Sequence, residues 1–209
     1  MVPPMNSTNP QQTQSHSERA RDRREQILEA AAECFRRSGF HGASMAEIAK
    51  AARMSPGHIY NLFENKDEII AAIVERDRDE IVRSISEIEE ADDLAVDVAG
   101  WIENSIEDIT ARNEVALSIE VLAEACRNPK LAAVVQSSEL VIQHRAAAYV
   151  RKALNERGIE LSDEEIMARS TVIGALFNGL MNQSISQPHM NKPAVIRVIR
   201  QLVRQLLTS

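Results

Sequence analysis

Residues 44–66, SMAEIAKAARMSPGHIYNLFENK, decide the fold because they contain two helix starts separated by a short turn. Ser44 and Glu47 form the S-x-x-E pattern of a capping box, in which each side chain bonds to a backbone N–H of the other residue. Ser55 followed by Pro56 is typical of an N-cap and a first helical residue, where the missing proline N–H costs nothing. Two short helices at this spacing indicate a helix-turn-helix, whose second helix can enter the major groove of DNA.

The next helix and the two faces of the second short helix follow from the same stretch. Asn65, with Glu68 three residues later, repeats the capping pattern and begins a long helix. Ile59, Leu62 and Phe63 recur at three- and four-residue spacing, so we expect them to face the core. Four residues remain for the outer face of this helix: Gly57, His58, Tyr60 and Asn61.

Helical patterns continue on both sides. A first helix is predicted over residues 18–38 and ends at Gly39, and a fourth runs from residue 66 towards residue 88. The arginines at the start of the first helix oppose its dipole, which favours either a nearby phosphate backbone or a solvated helix start: Arg19, Arg21, Arg23 and Arg24. Ser162 and Glu165 form another capping box. The remaining helices are predicted over residues 94–112, 114–128, 130–157, 163–186 and 192–207, giving an all-α fold of about nine helices.

The charge is divided unevenly along the chain. The 209 residues carry a net charge of −7. Residues 15–66 hold nine Lys or Arg against seven Asp or Glu, whereas residues from 67 onward hold fifteen against twenty-four. This contrast favours a small DNA-facing head on an acidic body.

Other function classes find little support in the sequence. No stretch approaches the roughly 18–20 apolar residues of a membrane span, and the N-terminus lacks the apolar core of a signal peptide, so we expect a cytoplasmic protein without a membrane partner. Cys34 and Cys126 are expected to be reduced core thiols. The sequence has no catalytic motif, cofactor-binding loop or metal-ligand cluster, so we expect no catalytic residue, cofactor or metal. An enzyme and a structural helical adaptor remain the alternatives, and binding to the chain's own upstream DNA would separate a regulator from both.

The helix-turn-helix also carries a family resemblance. The pattern Ser44-x-x-x-Ile48-Ala49, then Met54-Ser55-x-Gly57-x-x-Tyr60-x-x-Phe63-x-x-Lys66, resembles the tetracycline-repressor (TetR) family over residues 26–73. The stretch EVLAEACRNPK, residues 120–130, is similar to the branch that includes repressors of glucuronide and betaine operons. The Pro-, Gln-, Ser-, Thr- and Asn-rich composition of residues 1–16 predicts a disordered tail. The resemblance implies a DNA-binding domain over residues 17–66 and a ligand-binding and dimerisation domain over residues 67–209. It also implies a repressor that leaves a palindromic operator on double-stranded DNA when a small molecule binds the body.

Two positions depart from the family pattern. Arg53 lies where the family usually has glycine in the turn, and a left-handed residue other than glycine costs roughly 1–2 kcal/mol. We therefore expect an adjusted or strained turn. Asn61 lies where the family often has histidine, and an asparagine can pair with adenine or bind a phosphate. The operator sequence therefore cannot be transferred from relatives.

Nine residues are expected to contact DNA, with Ser44, Tyr60 and Lys66 on phosphates and Gly57, His58 and Asn61 close to bases. The full set is Ser44, Arg53, Ser55, Pro56, Gly57, His58, Tyr60, Asn61 and Lys66.

The last two helices are expected to form a homodimer interface, for which an intramolecular core is the alternative. The residues predicted for it are Ile173, Leu176, Leu180, Ile196, Ile199 and Val203.

The central helices are expected to line a mostly apolar pocket for a small-molecule inducer, although each residue alone also fits a core or surface position. Few basic residues lie there, so the inducer is predicted to be neutral or cationic, not strongly anionic. The candidate lining residues are Trp101, Ser105, Ser118, Leu122, Cys126, His144, Tyr149 and Phe177.

Overall fold

The computed structural model of the protein describes residues 10–88 and 114–208, and these residues form eight helices without a strand. The helices are α1 (Pro10–Gly42), α2 (Met45–Ala51), α3 (Pro56–Tyr60), α4 (Lys66–Ile88), α5 (Glu114–Ala125), α6 (Pro129–Asn155), α7 (Asp163–Ser186) and α8 (Lys192–Thr208). The all-α prediction is confirmed. The helix predicted over residues 94–112, with Trp101 and Ser105, lies outside the described residues.

The first helix differs most from its predicted bounds. It begins at Pro10, eight residues before the predicted start, and so includes part of the segment expected to be a disordered tail. It also continues past Ser38, with a kink at Gly39, whose φ of 71° and ψ of 166° lie in a region that is essentially restricted to glycine. The Ala43 amide then donates to the Gly39 carbonyl at 3.1 Å. Gly39 therefore breaks the regular helix as predicted, and the chain resumes a helical turn before α2.

The contacts divide the chain into two compact units, Met1–Ile73 and Val74–Ser209. In the first unit, α1, α2, α3 and the start of α4 enclose an apolar core whose largest fully buried side chains are Ile27, Leu28, Phe35, Ile48, Ile59, Ile69, Ile70 and Ile73. The helix-turn-helix is thus held by side chains from both flanking helices.

The second unit has its own core, built by the end of α4 and by α6, α7 and α8. Its members include Ile85, Val150, Leu154, Ile166 and Leu207. The Arg145 guanidinium on α6 donates to the Ser86 hydroxyl on α4 at 3.0 Å, which fixes the C-terminal part of α4 to α6. α5 packs on α6 and α7.

The helix caps of the body follow the sequence in part. Ser162 accepts a hydrogen bond from the Glu165 amide and begins α7 as predicted. The Glu165 carboxylate accepts from Arg169 Nε one turn along α7 at 3.1 Å. Ser162 is therefore the N-cap, while the acidic partner of the predicted capping box forms an ion pair along the helix.

The two cysteines differ in environment. Cys34 is buried and burial raises the pKa of its thiol, whereas Cys126 is exposed, so the prediction of two core thiols is wrong for Cys126. Because the thiolate is the reactive form, we expect a thiol reagent such as DTNB at pH 8 to modify Cys126 first. Cys34 should react at least about tenfold more slowly. The Cys126→Ser protein should then lose the fast phase, and urea should expose Cys34; a fast phase that persists in Cys126→Ser would contradict this assignment.

Candidate DNA interface

The N-terminus of α2 is fixed by the predicted capping box. The Glu47 amide donates to Ser44 Oγ at 3.2 Å, and the Ser44 amide donates to Glu47 Oε2 at 2.8 Å. The Ser44 hydroxyl also donates to the same carboxylate oxygen at 2.9 Å, and these hydrogen bonds lower the pKa of Glu47. The negative carboxylate therefore stays at the positive end of the α2 dipole.

The turn between α2 and α3 contains the strain expected from its sequence. Arg53 has a φ of 54° and is the single non-glycine residue with a positive φ among the described residues. Its amide donates to the Lys50 carbonyl, and the Met54 amide donates to the Ala49 carbonyl, so the turn is hydrogen-bonded in this conformation. The Arg53 side chain is exposed. The strained residue of the turn is therefore one whose positively charged side chain faces solvent.

Replacing Arg53 by glycine should stabilise the first unit by about 0.5–1 kcal/mol, since about 1–2 kcal/mol of left-handed strain is relieved and roughly 0.5–1 kcal/mol of backbone entropy is lost. Urea unfolding of Arg53→Gly measures this change, and Arg53→Lys serves as the control because it keeps both charge and strain. A less stable Arg53→Gly protein would contradict the account of the turn.

α3 is shorter than its sequence suggests. Ser55 Oγ accepts from the His58 amide at 3.3 Å, and Pro56 occupies the first turn, as predicted. The helix ends at Tyr60, and the Leu62 and Phe63 amides both donate to the Ile59 carbonyl. Ile59 and Phe63 are buried, whereas Leu62 is 38% exposed, so its predicted core position is wrong. The early end of α3 turns Leu62 away from the core.

Most side chains that were predicted to contact DNA lie on the surface of this unit. Tyr60 is 55% exposed and His58 is partly buried. A Cβ added at Gly57 would meet no atom within 4 Å, so α3 is bare at this point. The exposed members of the predicted set are Ser44, Arg53, Ser55, Pro56, Gly57, Tyr60 and Asn61.

A concavity of about 400 Å³, open to solvent, lies beside the turn. Its lining residues are Arg23, Gln26, Arg53, Met54, Ser55 and His58. Gln26 Nε2 donates to the Ala52 carbonyl at 2.8 Å, which ties α1 to the end of α2. Two guanidinium groups and a hydroxyl in a shallow recess are chemically suited to a phosphate group. The sequence indicated Arg23 and Arg53 separately but gave no sign that they share a recess.

The arginines at the start of α1 do not have equivalent surroundings. Arg24 lies over the Phe63 ring, with 5.2 Å between its guanidinium carbon and the ring centroid. This cation–π contact joins α1 to Phe63, which follows α3 in the chain. Arg19, Arg21 and Arg23 are exposed. The two sequence interpretations, phosphate contact and solvated helix start, therefore both remain for these three arginines, while Arg24 has a packing role as well.

Lys66 has a structural role that its sequence position did not indicate. Its ammonium donates to the carbonyls of Phe40, His41 and Ala43 at 2.7, 3.3 and 3.2 Å. It also lies 4.6 Å from the centroid of the Phe40 ring. These contacts join the start of α4 to the end of α1 and use the three donor protons of the ammonium. The predicted phosphate contact of Lys66 stays a prediction, and the observed contacts do not favour it.

The predicted inducer contacts divide into two groups. Tyr149 is buried and Phe177 is partly buried in the core of the second unit. Four others lie on the surface of the described body: Ser118, Leu122, Cys126 and His144. Their exposure does not favour the interior ligand role that the sequence suggested. The sequence could not show this, because the same helical pattern fits a residue in the interior and one on the surface.

The predicted dimer residues lie mostly in the interior of the described body. Leu180, Ile196, Ile199 and Val203 are buried, and three of these belong to the core of the second unit. Ile173 and Leu176 are partly buried. The burial fits the alternative of an intramolecular core, and the predicted interface stays a prediction. The exposed small and apolar residues of α7 and α8 include five that we call the outer face: Val172, Ala175, Gly179, Val198 and Leu202.

Within the described ranges, no helix is long and apolar enough to cross a membrane, and no group of three His, Cys, Asp or Glu side chains is placed to hold a metal ion.

Comparisons with known proteins match both units. A family model described as "Bacterial regulatory proteins, tetR family" matches residues 27–73, and one described as "BetI-type transcriptional repressor, C-terminal" matches residues 98–208. The HTH-type transcriptional regulator UidR of Escherichia coli (strain K12) is 28% identical over 192 residues, which is 91% of this chain and 95% of UidR.

Solved structures agree. Salmonella enterica GusR superposes with a TM-score of 0.77 at 27% identity, covering 90% of this chain and 96% of GusR. Bacillus subtilis FadR in complex with stearoyl-CoA has a TM-score of 0.71 over 88% of this chain and 97% of its own, and at 18% identity it shows the fold alone.

Proposed function

The chain belongs to the tetR family of bacterial regulatory proteins and has the C-terminal part of BetI-type transcriptional repressors, and on this premise we propose that it is a homodimeric repressor released from a palindromic operator by a small molecule. As in the rest of its family, its activity is that of a DNA-binding transcriptional regulator with a helix-turn-helix. A protein that reads bacterial DNA works in the cytoplasm.

The observation that carries the proposed interface is the exposed side of α3 beside the open recess. Gly57, Tyr60 and Asn61 are exposed although the opposite residue of α3, Ile59, is fully buried. Arg23 and Arg53 line the adjacent recess. A short helix with a bare glycine can approach base edges closely, while flanking cations neutralise phosphates.

Each exposed residue has a role that fits its chemistry. The Asn61 amide, at the C-cap of α3, can pair bidentately with adenine. His58 lies on α3 beside the recess, and we propose that it also contacts bases. Tyr60 carries a hydroxyl for a phosphate oxygen. The Ser44 hydroxyl and amide both donate to Glu47, so these contacts do not favour the phosphate contact predicted for Ser44. Ser55 and Pro56 hold the N-terminus of α3, so they position the base-reading residues and lie near the backbone of DNA.

Release from DNA follows from linkage. Two half-sites on one operator lie about 34–36 Å apart, or a multiple of this distance, so two α3 helices must keep a matching separation. A ligand that binds more tightly to a body shape with another separation lowers operator affinity. A coupling free energy of about 1–3 kcal/mol corresponds to roughly 5- to 150-fold weaker binding.

The proposed inducer is neutral or cationic. Glu124 on α5 is one of the few buried charged residues among the described residues, with 5% of its surface exposed, and it lies 3.4 Å from Arg127. Arg127 offsets part of this negative charge, so the proposal is supported mainly by the scarcity of basic residues that the sequence shows in the central helices. A thermal-shift screen would detect the inducer, because a ligand at 100 times its dissociation constant stabilises the folded protein by about 2.7 kcal/mol.

The interface is tested most sharply at Gly57. Because an added methyl group meets nothing in the protein, Gly57→Ala should fold normally and gain about 0.5–1 kcal/mol of helix stability. The same methyl group should obstruct close approach to the bases and weaken operator binding by about tenfold, or about 1.4 kcal/mol. Fluorescence anisotropy with labelled operator DNA measures affinity, and urea unfolding is the control. Unchanged operator affinity would refute the placement of α3 in the groove.

A further inference from the structure

The interior of the body contains a hydroxyl group without a hydrogen-bond partner. Ser138 on α6 is 3% exposed, and its Oγ has no hydrogen-bond partner in the part of the chain that the structure describes. Buried polar groups are nearly always paired, because leaving one unpaired destabilises the fold. An unpaired hydroxyl in a ligand-sensing body is therefore a candidate for pairing with the ligand.

The position of Ser138 shows that it replaces an apolar residue in a buried stripe. Residues at intervals of seven, eleven and eighteen lie on one side of a helix. Ser138, Ile142 and Tyr149 follow Leu131 at these three intervals, so the four residues share one side of α6. Leu131, Ile142 and Tyr149 are buried or packed against the core. α6 thus presents an apolar stripe to the interior that is interrupted by one hydroxyl.

The neighbouring helix shows a second interruption of the same kind. Leu117, Val121 and Glu124 form the buried stripe of α5, and α5 packs against α6. A short turn, residues 126–128, joins the two helices, and Glu124 lies next to that turn.

We infer that Ser138 is the hydrogen-bonding residue of the inducer site, and that the inducer carries a hydroxyl or ammonium group on an apolar frame. This inference rests on the proposed function, because it takes the second unit to be the ligand-sensing part. The Ser138 hydroxyl pairs with the polar group of the ligand. The ligand also satisfies the hydroxyl that the described residues leave unpaired.

The test uses three ring compounds that differ at one group and are neutral, cationic and anionic at pH 7: cyclohexanol, cyclohexylamine and cyclohexanecarboxylate. At millimolar concentration, the first two should raise the unfolding temperature of the full chain and the third should not. In Ser138→Ala, the dissociation constant for cyclohexanol should rise about three- to tenfold. Without any probe, Ser138→Ala should unfold at a higher temperature than the wild type, because an unpaired buried hydroxyl is removed.

Ser137→Ala is the matched control. Ser137 is the exposed neighbour of Ser138 on α6, and its hydroxyl donates to the Val134 carbonyl at 2.9 Å. It should leave probe binding unchanged. The inference is overturned if no probe binds, if cyclohexanecarboxylate binds best, or if Ser138→Ala binds cyclohexanol as the wild type does. None of these readouts involves DNA. If the protein binds its operator but fails this test, the inference about Ser138 is refuted while the proposed function is retained.

Discussion

Lys66→Met is expected to destabilise the first unit by about 2–3 kcal/mol. The substitution removes three hydrogen bonds from an ammonium to the carbonyls of Phe40, His41 and Ala43, together with the contact to the Phe40 ring. Hydrogen bonds to charged groups contribute about 1.5–3 kcal/mol each when buried, and the partial exposure of Lys66 reduces their sum. Urea unfolding followed by circular dichroism measures the loss.

The control for this prediction is Lys50→Met. Lys50 is an exposed lysine of the same unit, so its replacement should change stability by no more than about 0.5 kcal/mol. Operator binding separates the two roles of Lys66. If it holds a phosphate, the salt slope of binding falls by about one unit in Lys66→Met. If its role is only structural, the folded Lys66→Met protein keeps the salt slope of the wild type. A flatter slope without lost stability would restore the role predicted from sequence.

Replacing Val198 and Leu202 together by aspartate should convert the proposed dimer to monomers and weaken operator binding by at least about 100-fold. Both side chains are exposed on α8, and carboxylates there would have to be buried without partners in an interface. Two linked half-site contacts exceed one by about 10²–10⁴ in affinity, which the monomer loses. Light scattering coupled to gel filtration measures the assembly, and anisotropy with operator DNA measures the affinity.

The matched control replaces Leu140 and Val141 by aspartate. These residues are also exposed apolar side chains of a long helix, but they lie on α6. The control should stay dimeric and bind operator normally. The outer face is misassigned if the control dissociates instead, or if the Val198 and Leu202 variant remains a dimer.

The sequence predicted the local structure of the head well because its signals are local. A capping box and a Ser-Pro helix start each depend on a few neighbouring residues, and Ser44 and Ser55 have the expected capping conformations. The glycine stop was predicted only in part, because Gly39 kinks the chain and a helical turn follows it. The strained turn at Arg53 was predicted for the same reason.

Roles that depend on distant contacts were not predictable from sequence. The apolar stripe of α8 looks the same whether it faces the interior of its own chain or a partner, so the sequence could not reveal that Ile199 and Val203 are buried in the single chain. Lys66 matches a family motif, but its carbonyl partners lie 23 to 26 residues away. Ser138 gave no signal, because an unpaired hydroxyl is visible only when its surroundings are known.

Binding of the purified protein to the DNA upstream of its own gene tests the central claim most directly. The account predicts one dimer per palindrome, a large preference over a scrambled sequence, and a logarithm of affinity that falls linearly with the logarithm of salt concentration, by about 0.9 for each phosphate neutralised. Equal affinity for the scrambled sequence, or binding that does not respond to salt, would contradict the claim that this protein is a DNA-reading repressor.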